Sequence, residues 1–189
     1  MARVYVIRHG RPASTWGGAE DDPGLDDLGR HQAEEAMAWL MARPAAERPD
    51  HVISSPLRRC RETAEPMARA LGLELVIDPR VGEIPTPSSI PVSERPDWLR
   101  AAFAGNWSDI QGDLDYQAWA DGVALALADY PNAAVFSHFV ALNAAVSMAT
   151  GEGRVAAFRP DHCSITIFDI CDGRLILREK GREAQSQVL

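Results

Sequence analysis

The chain has 189 residues, of which 46% are hydrophobic and 24% are charged, a composition typical of one globular domain that buries its own core. Its formal net charge of -8 argues against nucleic acid and anionic membranes as partners, because both would repel it. The first apolar run, residues 4–7, is too short for a signal peptide or a membrane span, so we expect a cytoplasmic protein.

The first half of the chain alternates short apolar runs with helical patterns. Residues 4–7 predict a strand buried on both faces, and residues 51–53 predict a second strand. Between them, Asp26 is expected to cap a helix. The second strand leads to a serine-proline pair that predicts a helix capped by Ser55, and Pro66 should kink or split that helix.

The second half continues this alternation and ends in a hairpin. Strands are predicted at residues 73–77 and 133–136, and helices at 115–130 and 139–150. Prolines exclude a continuous helix from 84 to 96. The pair Asp172-Gly173 predicts a two-residue turn between residues 164–170 and 174–178, and residues 181–189 are expected to form a loose tail.

These elements predict a single α/β domain over residues 1–189, folded as a three-layer α/β/α sandwich with a largely parallel sheet and an antiparallel edge. Ligands of such sheets bind at the carboxyl ends of the strands. Three predicted strands end in polar or basic residues, which should share one cleft: Arg8 and His9, Ser54 and Ser55 with Arg58 and Arg59, and Ser137 with His138.

The residues of this cleft fit phosphoryl transfer, which needs a nucleophile, fixed positive donors and a proton for the leaving oxygen. His9 is the candidate nucleophile, because neighbouring guanidinium groups favour its neutral, attacking form. Arg8 and Arg59 can clamp phosphate oxygens, and His138 can donate a further hydrogen bond. Glu83 is the candidate proton donor.

Several segments of the chain resemble motifs of the histidine phosphatase superfamily, whose fold is also called phosphoglycerate mutase-like. Residues 6–11 (VIRHGR) resemble its strand and RHG signature, and residues 25–33 are similar to the opening of its first helix. Residues 54–64 (SSPLRRCRETA) resemble the motif whose second arginine, here Arg59, lies in the phosphate pocket. Residues 81–84 and 136–138 resemble the stretches that carry the acid and the second histidine, and the resemblance extends from residue 4 to about residue 168.

The resemblance implies a two-step mechanism without metal or other cofactor. His9 would become a phosphohistidine, with Arg8, Arg59 and His138 holding the phosphoryl group. Glu83 would protonate the leaving group and then activate water.

The chain departs from the family pattern at several positions. Thr15 stands where many relatives have asparagine and is expected to hydrogen-bond phosphate. Phe139 stands where glycine is usual and is expected to narrow the pocket. The short segment between Glu83 and His138 favours a phosphatase over a mutase. We therefore expect a phosphomonoester hydrolase acting on a small phosphorylated metabolite; the sequence indicates no oligomeric state.

Three other interpretations stay open. The protein could be a phosphoglycerate mutase-type phosphotransferase, or an inactive module that binds phospholigands. A metal hydrolase would use His9, His138, His162 and Glu83 as ligands, but no metal-binding spacing supports it. For His162 alone we expect a structural role, and for Arg58 a place on a solvated helix face.

Overall fold

The computed structural model of the chain describes residues 2–14 and 22–185. Within these residues the strands are β1 (Ala2–Arg8), β2 (His51–Ser54), β3 (Leu75–Ile77), β4 (Ala133–Ser137), β5 (Ile165–Cys171) and β6 (Arg174–Glu179). The α-helices are α1 (Asp27–Met41), α2 (Arg58–Leu71), α3 (Arg95–Ala104), α4 (Tyr116–Ala128) and α5 (Phe139–Thr150).

The strands form one sheet in the order β3-β2-β4-β1-β5-β6. Strands β1 to β4 are parallel, whereas β5 runs antiparallel to β1 and β6 antiparallel to β5. The register pairs Arg8 with Ser137 and Ser54 with Phe136, so β1, β4 and β2 finish side by side. The predicted mixed sheet with an antiparallel edge is confirmed.

Strand β1 lies at the centre of the molecule because both of its faces are covered. Val4 and Val6 contribute to one hydrophobic core, which also receives α3, α4 and α5. Tyr5 and Ile7 point to the opposite core, with side chains of α1 and α2. Because successive side chains of β1 enter opposite cores, helices cover both faces of the sheet and form the three predicted layers.

Two local predictions concern α2, and the one that placed its cap at Ser55 is wrong. The helix begins at Arg58 with Leu57 as its N-cap residue. The Ser55 hydroxyl lies 2.7 Å from the ring of His138 and accepts from the Leu57 N–H at 3.4 Å, ahead of the first helical turn. Pro66 does not split the helix, which continues to Leu71. Pro66 and its neighbour Met67 are buried, and this packing outweighs the one hydrogen bond that proline cannot make.

Two other local predictions are confirmed. The Asp26 carboxylate accepts a hydrogen bond from the Gly29 N–H at 2.7 Å and caps α1. Asp172 and Gly173 have φ values of 51° and 71°, as a two-residue hairpin turn of this type requires.

The segment after β6 differs from the expected loose tail. Main-chain hydrogen bonds join Asp161 to Arg182 and Ala184 to Arg159, and Pro160 bridges to Glu183. Backbone pairing therefore holds residues 181–184, while residues 186–189 lie outside the described ranges. Among the helices described, none combines the length and apolarity that crossing a bilayer would require.

Candidate active site

The predicted site residues meet where β1, β4 and β2 end. The His9 N–H donates to the Ser137 carbonyl at 2.9 Å, which ties the residue after β1 to the end of β4. The imidazole rings of His9 and His138 lie 5.4 Å apart between centroids. Arg8, His9 and Arg59 are each 5% exposed, and His138 is fully buried. Four of the predicted residues thus form one buried cluster.

The hydrogen bond made by His9 determines which ring nitrogen carries the proton. Its Nδ1 lies 2.8 Å from the Gly10 carbonyl oxygen, which can only accept, so Nδ1 must hold the hydrogen. Burial, followed by the charges of Arg59 and Arg8, keeps the pKa of His9 well below its ordinary value. The ring is therefore neutral at pH 7, and its Nε2 carries a free lone pair suited to nucleophilic attack.

His138 is held by partners on both sides of its ring. Its Nε2 lies 2.7 Å from the Ser55 hydroxyl, and an Arg59 Nη2 lies 3.2 Å from its Nδ1. Since arginine can only donate, Nδ1 is the acceptor and Nε2 carries the hydrogen. Burial, Arg59 and Arg8 keep the pKa of His138 well below its ordinary value, in agreement with this neutral ring.

The two arginines carry donor atoms without a protein partner. Arg8 uses one terminal nitrogen to donate to the Pro160 carbonyl at 2.9 Å, and its guanidinium lies 5.4 Å from the centre of the Phe139 ring. The Nε atoms of Arg8 and Arg59 are buried and have no hydrogen-bond partner in the described part of the chain. Buried donors without partners are costly, and these two belong to the guanidinium groups that are expected to clamp phosphate.

Phe139 begins α5 directly after His138 and is itself buried. Its ring lies 5.4 Å from the Arg8 guanidinium, and the narrowing of the pocket by Phe139 stays a prediction.

Glu83 lies beside His138, with its Oε2 atom 3.7 Å from Nδ1 of that ring. The other carboxyl oxygen accepts a hydrogen bond from the Ile84 N–H at 3.0 Å. Burial raises the pKa of Glu83, although Arg59, the Ile84 N–H and Arg8 act against this shift. Burial thus favours the protonated acid in the same cleft in which it favours neutral imidazoles.

The loop after β1 is positioned by two glycines in close contact. A Cβ atom on Gly10 would lie 2.6 Å from the Gly29 carbonyl oxygen, and one on Gly29 would collide with the Arg11 carbonyl. The Gly10 N–H also donates to the Thr63 hydroxyl of α2 at 3.0 Å. This contact fixes the main chain beside His9 against α1 and α2.

His162, for which the sequence predicts a structural role, lies beside His9. Its ring centroid is 5.8 Å from that of His9, and the ring is only partly buried. A signal for this position exists in the topology, because the antiparallel strand β5 starts where β1 ends. Thr63, which supports Gly10, was missed as a site residue. Ser55, which was predicted to share the cleft, supports His138.

The remaining predictions concern Arg58, Thr15 and a possible metal site. The Arg58 guanidinium donates to Glu62 at 2.7 Å on the half-exposed side of α2. Thr15 lies outside the described residues. Within residues 2–14 and 22–185, no three His, Cys, Asp or Glu side chains are grouped so that they could hold a metal ion.

Comparison with known proteins places the chain in a family. A model of the histidine phosphatase superfamily (branch 1) matches residues 4–182. A protein of Photorhabdus laumondii named probable phosphoglycerate mutase GpmB is 38% identical over 85 residues, which cover 44% of this chain and 39% of that protein. The match therefore spans well under half the length of this curated relative.

Two solved structures share the fold over nearly the whole chain. A phosphoserine phosphatase from Entamoeba histolytica has a TM-score of 0.74 at 20% identity, with 98% of each chain covered. A mycobacterial glucosyl-3-phosphoglycerate phosphatase has a TM-score of 0.68 at 20% identity, with 97% of this chain and all of that chain covered.

Proposed function

The chain belongs to the histidine phosphatase superfamily, branch 1, and from this premise we propose that it hydrolyses phosphomonoesters through a phosphohistidine on His9. The observation that carries the proposal is the orientation of the His9 ring, whose Nδ1 hydrogen is fixed on the Gly10 carbonyl. Its unprotonated Nε2 is left as the attacking atom among two buried guanidinium groups.

In the first step, Nε2 of His9 attacks phosphorus as the bond to the leaving oxygen breaks. The phosphorylated ring keeps its Nδ1 hydrogen, and the Gly10 carbonyl stabilises the positive charge that the ring gains. Glu83 supplies the proton to the leaving oxygen, which its raised pKa favours.

In the second step, water attacks phosphorus and the phosphorus–nitrogen bond breaks. The Glu83 carboxylate accepts the proton from that water, and both Glu83 and His9 return to their starting forms. Arg8 and Arg59 donate hydrogen bonds to the peripheral phosphoryl oxygens throughout. His138, whose one N–H lies on the Ser55 hydroxyl and whose Nδ1 accepts from Arg59, holds the Arg59 guanidinium in place for this role. Thr15 stays a predicted phosphate contact.

The substrate we propose is a small phosphorylated metabolite, and the location is the cytoplasm. The two phosphatases that share the fold are named for small phosphorylated compounds, phosphoserine and glucosyl-3-phosphoglycerate. The surface carries a net charge of -8, which disfavours nucleic acid and anionic membranes as partners.

A mutase is the second candidate, because the curated relative with 38% identity is named a probable phosphoglycerate mutase. The two activities separate in one assay, in which release of inorganic phosphate from 3-phosphoglycerate is compared with formation of 2-phosphoglycerate. We expect phosphate release to be the faster reaction.

The His9→Ala variant tests the nucleophile. The purified protein is screened against sugar phosphates, phosphoamino acids, nucleotides, phosphopeptides and p-nitrophenyl phosphate, and the variant should lose at least about a thousandfold in kcat. The control is His31→Ala, whose side chain is exposed on α1 beside Glu35. Rapid quenching should trap an acid-labile phosphoenzyme in the wild type and none in His9→Ala.

An unchanged rate in His9→Ala would refute the mechanism. Binding of inorganic phosphate without hydrolysis of any ester would identify an inactive binding module instead.

A further inference from the structure

His162 is a third imidazole at the cleft, and the mechanism above does not use it. Its main-chain N–H donates to the Asp161 carboxylate at 2.8 Å, but its ring nitrogens make no hydrogen bond to residues in the described ranges. Burial, followed by the charge of Arg8, lowers the pKa of His162 to about 4. At pH 7 the ring therefore offers one N–H donor and one free acceptor nitrogen.

The backbone next to His162 is held in an unusual conformation. Cys163 has a φ of 53°, in the left-handed region that costs a residue with a side chain free energy. The Cys163 N–H donates to the Arg8 carbonyl at 3.1 Å and approaches the His9 carbonyl at 3.4 Å. The main chain at the nucleophile thus directly fixes the turn that presents His162.

The residue before His162 is also held by hydrogen bonds to Arg182, near the end of the described residues. Asp161 receives the Arg182 side chain at 3.1 Å and donates its N–H to the Arg182 carbonyl at 2.9 Å. The ring of His162 is therefore carried by a segment fixed on both sides, as expected of a residue whose position matters for binding.

The exposure of the cleft residues separates an inner from an outer part. Arg8, His9, Arg59 and His138 are at most 5% exposed, whereas His162 is partly open to solvent. The outer part also holds the ion pair between Arg11 and Asp26, whose side chains are 51% and 26% exposed. A phosphoryl group on His9 Nε2 would occupy the inner part, so the organic part of an ester would extend toward the outer part.

We propose that His162 is a specificity-determining residue that donates its ring N–H to an oxygen on the alcohol part of the substrate, close to the ester carbon. The favoured substrates are then phosphate esters of small hydroxy acids or polyols, in which a carboxylate or hydroxyl stands near the phosphate. Simple alkyl or aryl phosphates lack this oxygen and gain nothing from His162. The inference rests on the proposed phosphatase activity and adds its substrate class.

Matched substrates test the proposal. Glycerol 3-phosphate and propyl phosphate have the same carbon chain with and without hydroxyl groups, and 3-phosphoglycerate carries a carboxylate in place of the terminal hydroxymethyl group. In the wild type, kcat/KM should favour the oxygen-bearing esters, and His162→Ala should reduce that preference by about tenfold, the value of one hydrogen bond. His162→Asn, which retains an N–H donor, should recover part of the preference.

The controls separate this role from a structural one. The loss in His162→Ala should fall on KM for the oxygen-bearing esters, while kcat for propyl phosphate and trapping of the His9 phosphoenzyme from p-nitrophenyl phosphate stay unchanged. The exposed variant His31→Ala should keep the wild-type preference. Thermal melting of each variant checks that the fold is retained.

Two results would overturn the proposal. An equal loss on propyl phosphate and glycerol 3-phosphate would place His162 in support of the phosphoryl site, and an unchanged preference in His162→Ala would mean that it contacts no substrate. A wild-type protein that hydrolyses none of these esters and forms no phosphoenzyme would instead refute the proposed function on which the inference depends.

Discussion

At the scale of single residues, one buried environment sets the protonation states of His9 and Glu83, the proposed nucleophile and the proposed acid. Removal from water lowers the pKa of His9 and raises the pKa of Glu83, because in both cases it disfavours the charged form. The buried arginines reinforce the first shift and oppose the second. The cleft thus holds a neutral imidazole and favours a protonated carboxyl, the pair that the first chemical step requires.

The Glu83→Gln variant should lose activity according to the leaving group. An alkoxide needs a proton as it leaves, so kcat for alkyl phosphates should fall by about 10²–10⁴. Nitrophenolate leaves without one, so phosphoenzyme formation from p-nitrophenyl phosphate should be much less affected. Steady-state and quenched-flow measurements on both esters check the difference, and equal losses would argue against Glu83 as the acid.

The pH profile of the wild type follows from the same residues. Since the pKa of His9 lies well below its usual value, protonation of the nucleophile should not reduce kcat/KM between pH 7 and pH 6. Activity toward alkyl phosphates should instead fall as pH rises through the raised pKa of Glu83, where the acid loses its proton. Glu83→Gln should abolish this decline, and its persistence would assign the decline to another group.

At the scale of elements, the contact between Gly10 and Gly29 couples the nucleophile loop to helix α1. The main chains approach so closely that neither position has room for a methyl group. The Asp26 cap at the start of the same helix also binds Arg11, and so the helix start and the loop share partners.

The Gly10→Ala variant should be destabilised by about 1–3 kcal/mol, because its Cβ would meet the Gly29 carbonyl, a main-chain atom that cannot easily move. Displacement of the adjacent His9 should also lower kcat by at least tenfold. Gly122→Ala on the exposed side of α4 meets no atom within 4 Å and should stabilise by about 0.5–1 kcal/mol. Urea unfolding of both variants measures the contrast.

Local sequence patterns predicted helix caps and turns correctly where these depend only on residues close in the chain. Asp26 caps α1, and Asp172-Gly173 forms the hairpin turn, since both depend on neighbours within a few residues. The predicted cap of α2 was wrong, and the Ser55 hydroxyl lies against the ring of His138, a residue 83 positions away. A partner so far away in the sequence cannot be predicted from the spacing of neighbouring residues.

In the candidate site, too, contacts between residues far apart in the sequence were harder to predict. The cluster of Arg8, His9, Arg59 and His138 could be predicted, because each residue follows or lies near the end of a parallel strand. The position of His162 depends on two further features, the antiparallel pairing of β5 with β1 and the left-handed turn at Cys163. Neither feature is visible in the residue types around it.

At the scale of the whole molecule, the buried titratable groups link stability to pH. The folded pKa values of His9, His138 and His162 are lowered, so below about pH 6.5 the unfolded chain binds protons that the folded protein does not. Their contribution to stability is complete above pH 6.5 and is lost as pH falls toward the folded values. Glu83 acts in the opposite sense, because its contribution is complete below about pH 4.5 and is lost as pH rises through its raised pKa.

Three histidines outweigh one glutamate between pH 6.5 and pH 5. Each histidine lowers the free energy of unfolding by up to about 1.4 kcal/mol per pH unit, so the protein should lose stability as pH falls over this interval. The His162→Asn variant should lose about 1.5 kcal/mol less over the same interval. Urea denaturation at both pH values measures these differences, and a stability that is constant or rises toward pH 5 would contradict the assignment.

The place of β1 in the sheet also determines when the site can exist during translation. Strand β1 ends at Arg8, but its neighbours β4 and β5 begin at Ala133 and Ile165. The ribosome therefore releases the RHG segment long before the residues that flank it, and the pairing must wait for most of the chain. A nascent chain that has not reached β5 therefore carries His9, the proposed nucleophile, without the residues that complete its surroundings.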